Sequence, residues 1–360
     1  MLITLERTIL RIKSRFLRFY SADVHNIKFN HPQSYEDHVF DSSWEPPDIR
    51  RDDAKTLRIS ILGLPNVGKS TLINQLVGRP VCAASSKVQT TKKKSEAIYM
   101  NDNTQLIFID TPGLVKSSDM KKYDLEKTFR TDVDKALATC DIVGVVQDVG
   151  NKVRADVIDP RVLVLLKNLK IGIPTLLILN KVDKIKKKKV LLNLVDVLTS
   201  DKNWPNFSDI FMVSALTSDG IDDLRSYLLD SAKSRDWDYE SKKISSDSPE
   251  SIIEQTVRAK FMDALPNELP YVITVQLEHY SVLKDDSIST VVAVLTPSDR
   301  ISNLVMGKGG CRVRDVAKAV EQELSQVFST TVRLKLAVKF SELKDEPEVS
   351  KYKRKKNYLI

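Results

Sequence analysis

At 360 residues and 42% hydrophobic content, the chain is long enough for two ordinary domains, and its formal charge of +8 favours a polyanionic partner without requiring one. No run of about 18 apolar residues is present, which excludes a helical membrane span. Cys82, Cys140 and Cys311 lack any C-x-x-C spacing, and His25, His31, His38 and His279 lack ligand geometry, so neither a disulfide framework nor a zinc site is expected.

In chain order, Leu2, Leu5, Ile9, Ile12, Phe16 and Phe19 recur at spacings of three and four, while Arg7, Arg11, Arg15 and Arg18 form a second stripe. This basic amphipathic pattern over residues 1–22 resembles a mitochondrial import presequence, and Arg18-Phe19-Tyr20-Ser21 resembles a matrix-processing site, so the mitochondrial matrix is the expected location. A helix that binds a membrane surface or a partner is the alternative. Residues 23–55, with Pro32, Trp44, Pro46 and Pro47 among acids and serines, read as a linker.

From residue 56 to 235, short apolar runs alternate with amphipathic stretches, the pattern of a doubly wound α/β domain with a mostly parallel sheet. Strands are predicted at 58–62, 104–109, 141–149, 175–179 and 209–213, and helices at 70–77, 125–138, 160–170, 190–198 and 221–231. The apolar period is lost over 236–248, which reads as a second linker. A smaller α+β domain is predicted over 249–341: helix 249–265, strands 271–279 and 289–295, a helix, a Gly-rich turn, helix 312–328 and strand 331–340. Residues 342–360 form a basic tail.

Gly63-Leu64-Pro65-Asn66-Val67-Gly68-Lys69-Ser70-Thr71 fits G-x-x-x-x-G-K-S/T between a predicted strand and a predicted helix. In such a loop main-chain N–H groups and the helix N-terminus cradle phosphates, Lys69 neutralises the β and γ phosphates, and the Ser70 hydroxyl reaches Mg²⁺. Asp110-Thr111-Pro112-Gly113 ends a second predicted strand, where Asp110 can hold the Mg²⁺ shell and the Gly113 N–H can meet a γ-phosphate. Asn180-Lys181-Val182-Asp183 ends a third. The Asp183 carboxylate accepts from guanine N1–H and N2–H₂, donors that adenine lacks, while Lys181 covers the purine face and Asn180 ties this loop to the phosphate loop. Ser214-Ala215-Leu216 ends a fourth, where a backbone N–H can reach guanine O6. A loop threonine must complete the Mg²⁺ shell when γ-phosphate is present; Thr91 is chosen, with Thr90 as its rival.

These motifs, together with Asn66 in the phosphate loop, the Gln89-Thr90-Thr91-Lys92 loop and Leu114 after Asp110-Thr111-Pro112-Gly113, resemble the Era GTPases in unpermuted order over about residues 57–340. The resemblance implies a Ras-like G domain at 56–235 followed by a type II KH domain at 249–341, with GTP or GDP and Mg²⁺ bound. It implies action on the 3′ region of small-subunit rRNA during subunit assembly; with the presequence, this becomes the mitochondrial small subunit and its 12S-type rRNA. A monomer is expected, and peripheral association with the inner membrane is left open. Many GTPases place a water-orienting Gln where this chain has Leu114. Relatives with an apolar residue there are thought to use K⁺ held partly by the residue matching Asn66, which implies slow, K⁺-stimulated hydrolysis supported by Lys69, Asn66 and Thr91. The rival reading is an RNA chaperone that holds GTP without hydrolysing it, made credible by Leu114.

In the C-terminal segment, Gly307-Lys308-Gly309-Gly310 lies between two predicted helices in an α-β-β-α-α-β order and reads as the G-x-x-G loop of a KH domain. Its glycines permit a tight turn and close approach of a sugar-phosphate backbone, Lys308 adds charge, and Arg312 and Arg314 on the following helix stand within reach of phosphates.

Overall fold

The computed structural model describes residues 53–85, 87, 95–114, 126–151, 153–200, 203–204, 206–266 and 268–340. The presequence, residues 23–52 of the first linker and the basic tail read from the sequence lie outside these residues, as do Thr90 and Thr91, while Lys55, read as the linker's last residue, begins the first strand.

The first part of the chain forms β1 (Lys55–Leu62), α1 (Lys69–Val77), β2 (Ser95–Asn101), β3 (Thr104–Asp110), α2 (Glu126–Thr139), β4 (Ile142–Asp148), α3 (Pro160–Lys167), β5 (Thr175–Asn180), α4 (Lys189–Leu198), β6 (Asp209–Val213), α5 (Ile221–Asp230) and the two-residue β7 (Lys233–Ser234). The strand order is β2-β3-β1-β4-β5-β6, with β7 beside the start of β1. Pairings from β3 through β6 are parallel. Every residue of β3 and β5 is buried, as expected for strands covered by helices on both faces. One apolar layer joins Leu57, Ile59 and Ile61 to Leu72, Leu76 and Leu224; the other joins Leu62, Val143 and Leu177 to Leu166 and Leu198.

Local chemistry sets the helix ends. Asp159 caps α3 by accepting from the Arg161 N–H at 3.0 Å, and Pro160 fills the first helical position, where no donor is needed. Gly78 ends α1 in left-handed backbone, its N–H donating to Asn74 O at 2.8 Å.

The second part runs α6 (Pro249–Ala264), α7 (Leu269–Val272), β8 (Thr274–Val282), β9 (Ile288–Thr296), α8 (Asp299–Met306), α9 (Cys311–Phe328) and β10 (Val332–Phe340). Its sheet has the order β10-β9-β8, with β10 parallel and β8 antiparallel to β9. Val257 and Phe261 of α6 and Val320 and Leu324 of α9 form a core with Val292 and Val294. Ser248 and Ser298 cap α6 and α8 through their hydroxyls.

The sequence reading has no strand at the two-residue β7 and departs from this fold in three further places. It has no strand at β2, which pairs antiparallel with β3 through a two-residue turn at Asp102 and Asn103. Residues 271 and 272, read as strand, belong to α7, because Pro270 supports a helical turn and offers no N–H to a ladder. The segment read as a linker over 236–248 is packed along the free edge of β2. The Ile98 N–H donates to Ile244 O at 2.9 Å, the Ser246 N–H to Glu96 O at 2.9 Å, and the Ser245 hydroxyl to Glu96 O at 3.0 Å. The buried Glu96 carboxylate also accepts from Arg58 Nη2 at 2.7 Å and from the Tyr239 hydroxyl at 2.8 Å. Burial and this hydrogen bond push the Tyr239 phenol up to about 12. The connecting segment therefore caps an edge strand that would otherwise expose unpaired backbone groups.

Candidate functional site

Parallel pairing puts the C-terminal ends of β1, β3, β5 and β6 on one edge of the sheet, so the four motifs that follow these strands meet there. Lys69 begins α1 and is 7% exposed, its ammonium donating to Leu64 O at 3.1 Å and Gly63 O at 3.3 Å. Burial lowers this ammonium to about 8, while the Asp110 carboxylate acts in the opposite sense. A cation held in this way is stabilised by any further anion brought into the loop.

The Ser70 hydroxyl donates to Asp110 Oδ2 at 2.7 Å, and Thr111 anchors the same loop by donating to Ile61 O at 2.6 Å. Two adjacent hard oxygen donors, one of them a buried carboxylate, fit Mg²⁺. Gly113 packs so closely on the phosphate loop that a Cβ there would lie 2.8 Å from Pro65 Cα.

The loop that follows β5 is joined to the phosphate loop through Asn180. Asn180 Nδ2 donates to Val67 O at 2.8 Å, and Asn180 Oδ1 accepts from the Lys181 N–H at 2.8 Å and the Ala215 N–H at 3.0 Å. Gly68 has a φ of +97°, and a Cβ on it would be 2.4 Å from Asn180 Nδ2. The Ser214 hydroxyl donates to Asp183 Oδ1 at 2.7 Å and so aims the carboxylate; Asp183 itself is exposed. Of the main-chain donors expected near guanine O6, those of Ser214 and Ala215 are donated to Asp219 O and Asn180 Oδ1, while Leu216 is 78% exposed.

Lys181 makes two contacts that the sequence reading did not assign to it. Its ammonium donates to Asn66 O at 2.7 Å and pairs with Asp148 Oδ2 at 2.7 Å. Asp148 was missed; its only sequence signal is a carboxylate at the end of a predicted strand. Leu114 turns inward onto the apolar cluster around Ile109 and Val145, with its N–H donating to Gly63 O at 3.3 Å.

In the second part, Gly307, Gly309 and Gly310 all have positive φ, of 71°, 59° and 74°. A Cβ on Gly309 or Gly310 would meet no atom within 4 Å, so packing does not exclude a side chain at either position. Arg314 Nη2 donates to Gly309 O at 3.2 Å and Arg312 Nη1 donates to Leu304 O, so both arginines brace the turn that the sequence reading gave them as phosphate contacts.

This sheet edge, with its buried lysine and its paired hydroxyl and carboxylate, belongs to a P-loop GTPase. A family model described as a 50S ribosome-binding GTPase matches residues 58–181. Mitochondrial GTPase Era of Danio rerio is 30% identical, over 80% of this chain and 76% of its own length. GTPase Era of Mesorhizobium japonicum is 33% identical, over 81% of this chain and 90% of its own. A crystal structure of Era with MgGDPNP and nucleotides 1506–1542 of 16S ribosomal RNA superposes with a TM-score of 0.68 at 26% identity, covering 80% of this chain and 94% of that one. The chain belongs to the Era family of GTPases and is a GTP-hydrolysing enzyme.

Proposed function

We propose that this GTPase binds small-subunit rRNA through a KH domain at residues 249–341 and assists assembly of the mitochondrial small ribosomal subunit in the matrix, with nucleotide state set in a G domain at 56–235. Similarity to proteins named mitochondrial, and to an Era structure holding a 16S rRNA fragment, supports this reading. The observation that carries the RNA half is the loop from Gly307 to Gly310: three glycines of positive φ between α8 and α9, with open space beside two of them. Backbone without side chains allows close approach of a sugar-phosphate chain, and Lys308 supplies charge beside it.

Replacing Gly309 and Gly310 with Asp tests this directly. Asp tolerates left-handed backbone better than most residues, and neither side chain is blocked, so the fold and GTP binding are expected to persist. Affinity for a single-stranded fragment of the small-subunit rRNA 3′ end should fall by about 100-fold, because two carboxylates then face phosphates. Unchanged RNA affinity in a gel-shift titration would remove the KH assignment.

At the nucleotide site, the phosphate cradle comprises Gly63, Pro65, Asn66, Val67, Gly68, Lys69, Ser70 and Thr71, with Gly113 toward the γ-phosphate. Asn180, Lys181, Asp183 and Ser214 to Leu216 take the base. Water attacks the γ-phosphorus in line with the departing β-phosphate oxygen, and Lys69 stabilises the charge that develops. Mg²⁺ held by Ser70, Asp110 and Thr91 would supply further charge neutralisation. With an apolar Leu114, half-buried against the cluster around Ile109, no side chain at that position orients the water. K⁺ held partly by Asn66 is the proposed substitute, and the exposed Asn66 has a φ of 62° at the loop's turn. Single-turnover hydrolysis should be faster in K⁺ than in Na⁺, and Asn66→Ala should abolish the difference; equal rates in both salts would refute the role of K⁺.

A further inference from the structure

We propose that the lysine run at the start of α4 is a second RNA-contact surface, which grips the phosphate backbone of a duplex next to the base-reading loop. This rests on RNA being the partner proposed above. Lys184, Lys186, Lys187, Lys188 and Lys189 are all exposed. None forms an ion pair among the described residues, whereas Lys181, Lys233, Lys260 and Lys339 each pair with a carboxylate. From 184 to 198 the only acid is Asp196.

The helix itself gains nothing from this arrangement. Lys188 occupies the cap position of α4 without a side-chain cap, and the first turn holds no acid. Cations at the positive end of a helix are unfavourable, most of all at low salt. By contrast α3, α6 and α8 carry Asp or Ser caps. A polyanion laid across this end offsets the repulsion among the lysines and is itself attracted by the helix dipole. Several cations along one turn suit a row of phosphates better than one small anion.

The same residues disfavour a lipid surface. Membrane-surface helices insert an apolar face, but Leu191, Leu194, Val195 and Leu198 of α4 are buried in the protein core. Single-stranded RNA is also a poor fit, because residues 184–198 contain no aromatic side chain on which a base could stack. A duplex read by its backbone needs neither. The position adds a connection to the nucleotide site: the run starts directly after Asp183, and Lys184 lies against Gly150 at the end of β4, where a Cβ would be 2.6 Å from Lys184 Cδ.

The test compares the full chain with a variant carrying Lys186→Gln, Lys187→Gln, Lys188→Gln and Lys189→Gln. Probes are an RNA duplex of about 20 base pairs, the single-stranded rRNA 3′ fragment, and vesicles of phosphatidylglycerol and phosphatidylcholine in equal parts. For the duplex, affinity at low salt should fall about 10- to 100-fold, and the slope of log affinity against log salt should become shallower by about 2–3, at roughly 0.9 per phosphate contact. Thermal stability should hold or rise, since removing charge from this helix end relieves repulsion; a structural role for the lysines would lower it. Arginine in place of the four lysines should restore duplex binding. An unchanged duplex affinity and slope would overturn the proposal, as would a loss confined to the vesicles. The Gly309→Asp, Gly310→Asp variant reports separately through the single-stranded fragment, so failure of the KH assignment and failure of this surface are distinguishable.

Discussion

Asp183→Asn is expected to lower GTP affinity by about 10²–10⁴-fold and to raise affinity for xanthosine triphosphate, the largest change of specificity open to this site. In the proposed site the carboxylate would accept from two guanine donors, each a charge-assisted hydrogen bond of about 1.5–3 kcal/mol. An amide keeps one acceptor but turns an NH₂ toward guanine's own NH₂, and a donor then faces a donor. Xanthine carries a carbonyl there, which matches the amide. Asp183 is held for this role by the Ser214 hydroxyl at 2.7 Å, so the substituted side chain should keep its direction. Calorimetric titration with both nucleotides gives the result, and GTP binding that survives Asp183→Asn unchanged would remove guanine reading from this residue.

Gly68→Ala should abolish measurable nucleotide binding, a loss of more than about 100-fold, and should also lower thermal stability. Two causes act together. The backbone at residue 68 has a φ of +97°, which costs an L-residue about 1–2 kcal/mol. The added carbon would also sit 2.4 Å from Asn180 Nδ2, pushing aside the side chain that holds Val67 O at 2.8 Å. The phosphate loop and base loop then separate at the point where they are joined. Gly78→Ala is the control: its φ is +77°, yet nothing lies within 4 Å of the new carbon. It should cost stability of similar size and leave GTP affinity unchanged. Equal losses of affinity in both variants would show that backbone strain, and not the contact with Asn180, connects the loops.

Why the nucleotide motifs were readable and their wiring was not follows from how each is encoded. The sequence from Gly63 to Thr71 is contiguous, and its chemistry needs particular residue types at fixed spacing. The same holds for Asn180, Lys181 and Asp183. Asp148 stands 33 positions before Lys181, and nothing local marks it as the ammonium's partner. The Ser214 hydroxyl reaches Asp183 across 31 positions, a contact made only because β5 and β6 are neighbours. Strand β2 escaped because its start borders a run of lysines and its sequence from Ser95 to Asn101 does not alternate polar with apolar residues. The connecting segment over 236–248 looked unstructured because its hydrogen bonds to Glu96 and Ile98 lie about 150 positions away in the chain.

Local order in the chain therefore determined the alternation of strands and helices, the phosphate loop, the proposed base-reading acid and the glycine loop, since each depends on residues adjacent in sequence or repeating at helix or strand period. Tertiary structure alone decided which loops touch: Gly68 against Asn180, Asp148 on Lys181, the connecting segment on the edge of β2, and Arg312 and Arg314 turned back onto the glycine turn. The reason is physical. Those contacts are set by the order of strands in the sheet and by close packing, and neither is written in the spacing of residues along one strand of chain.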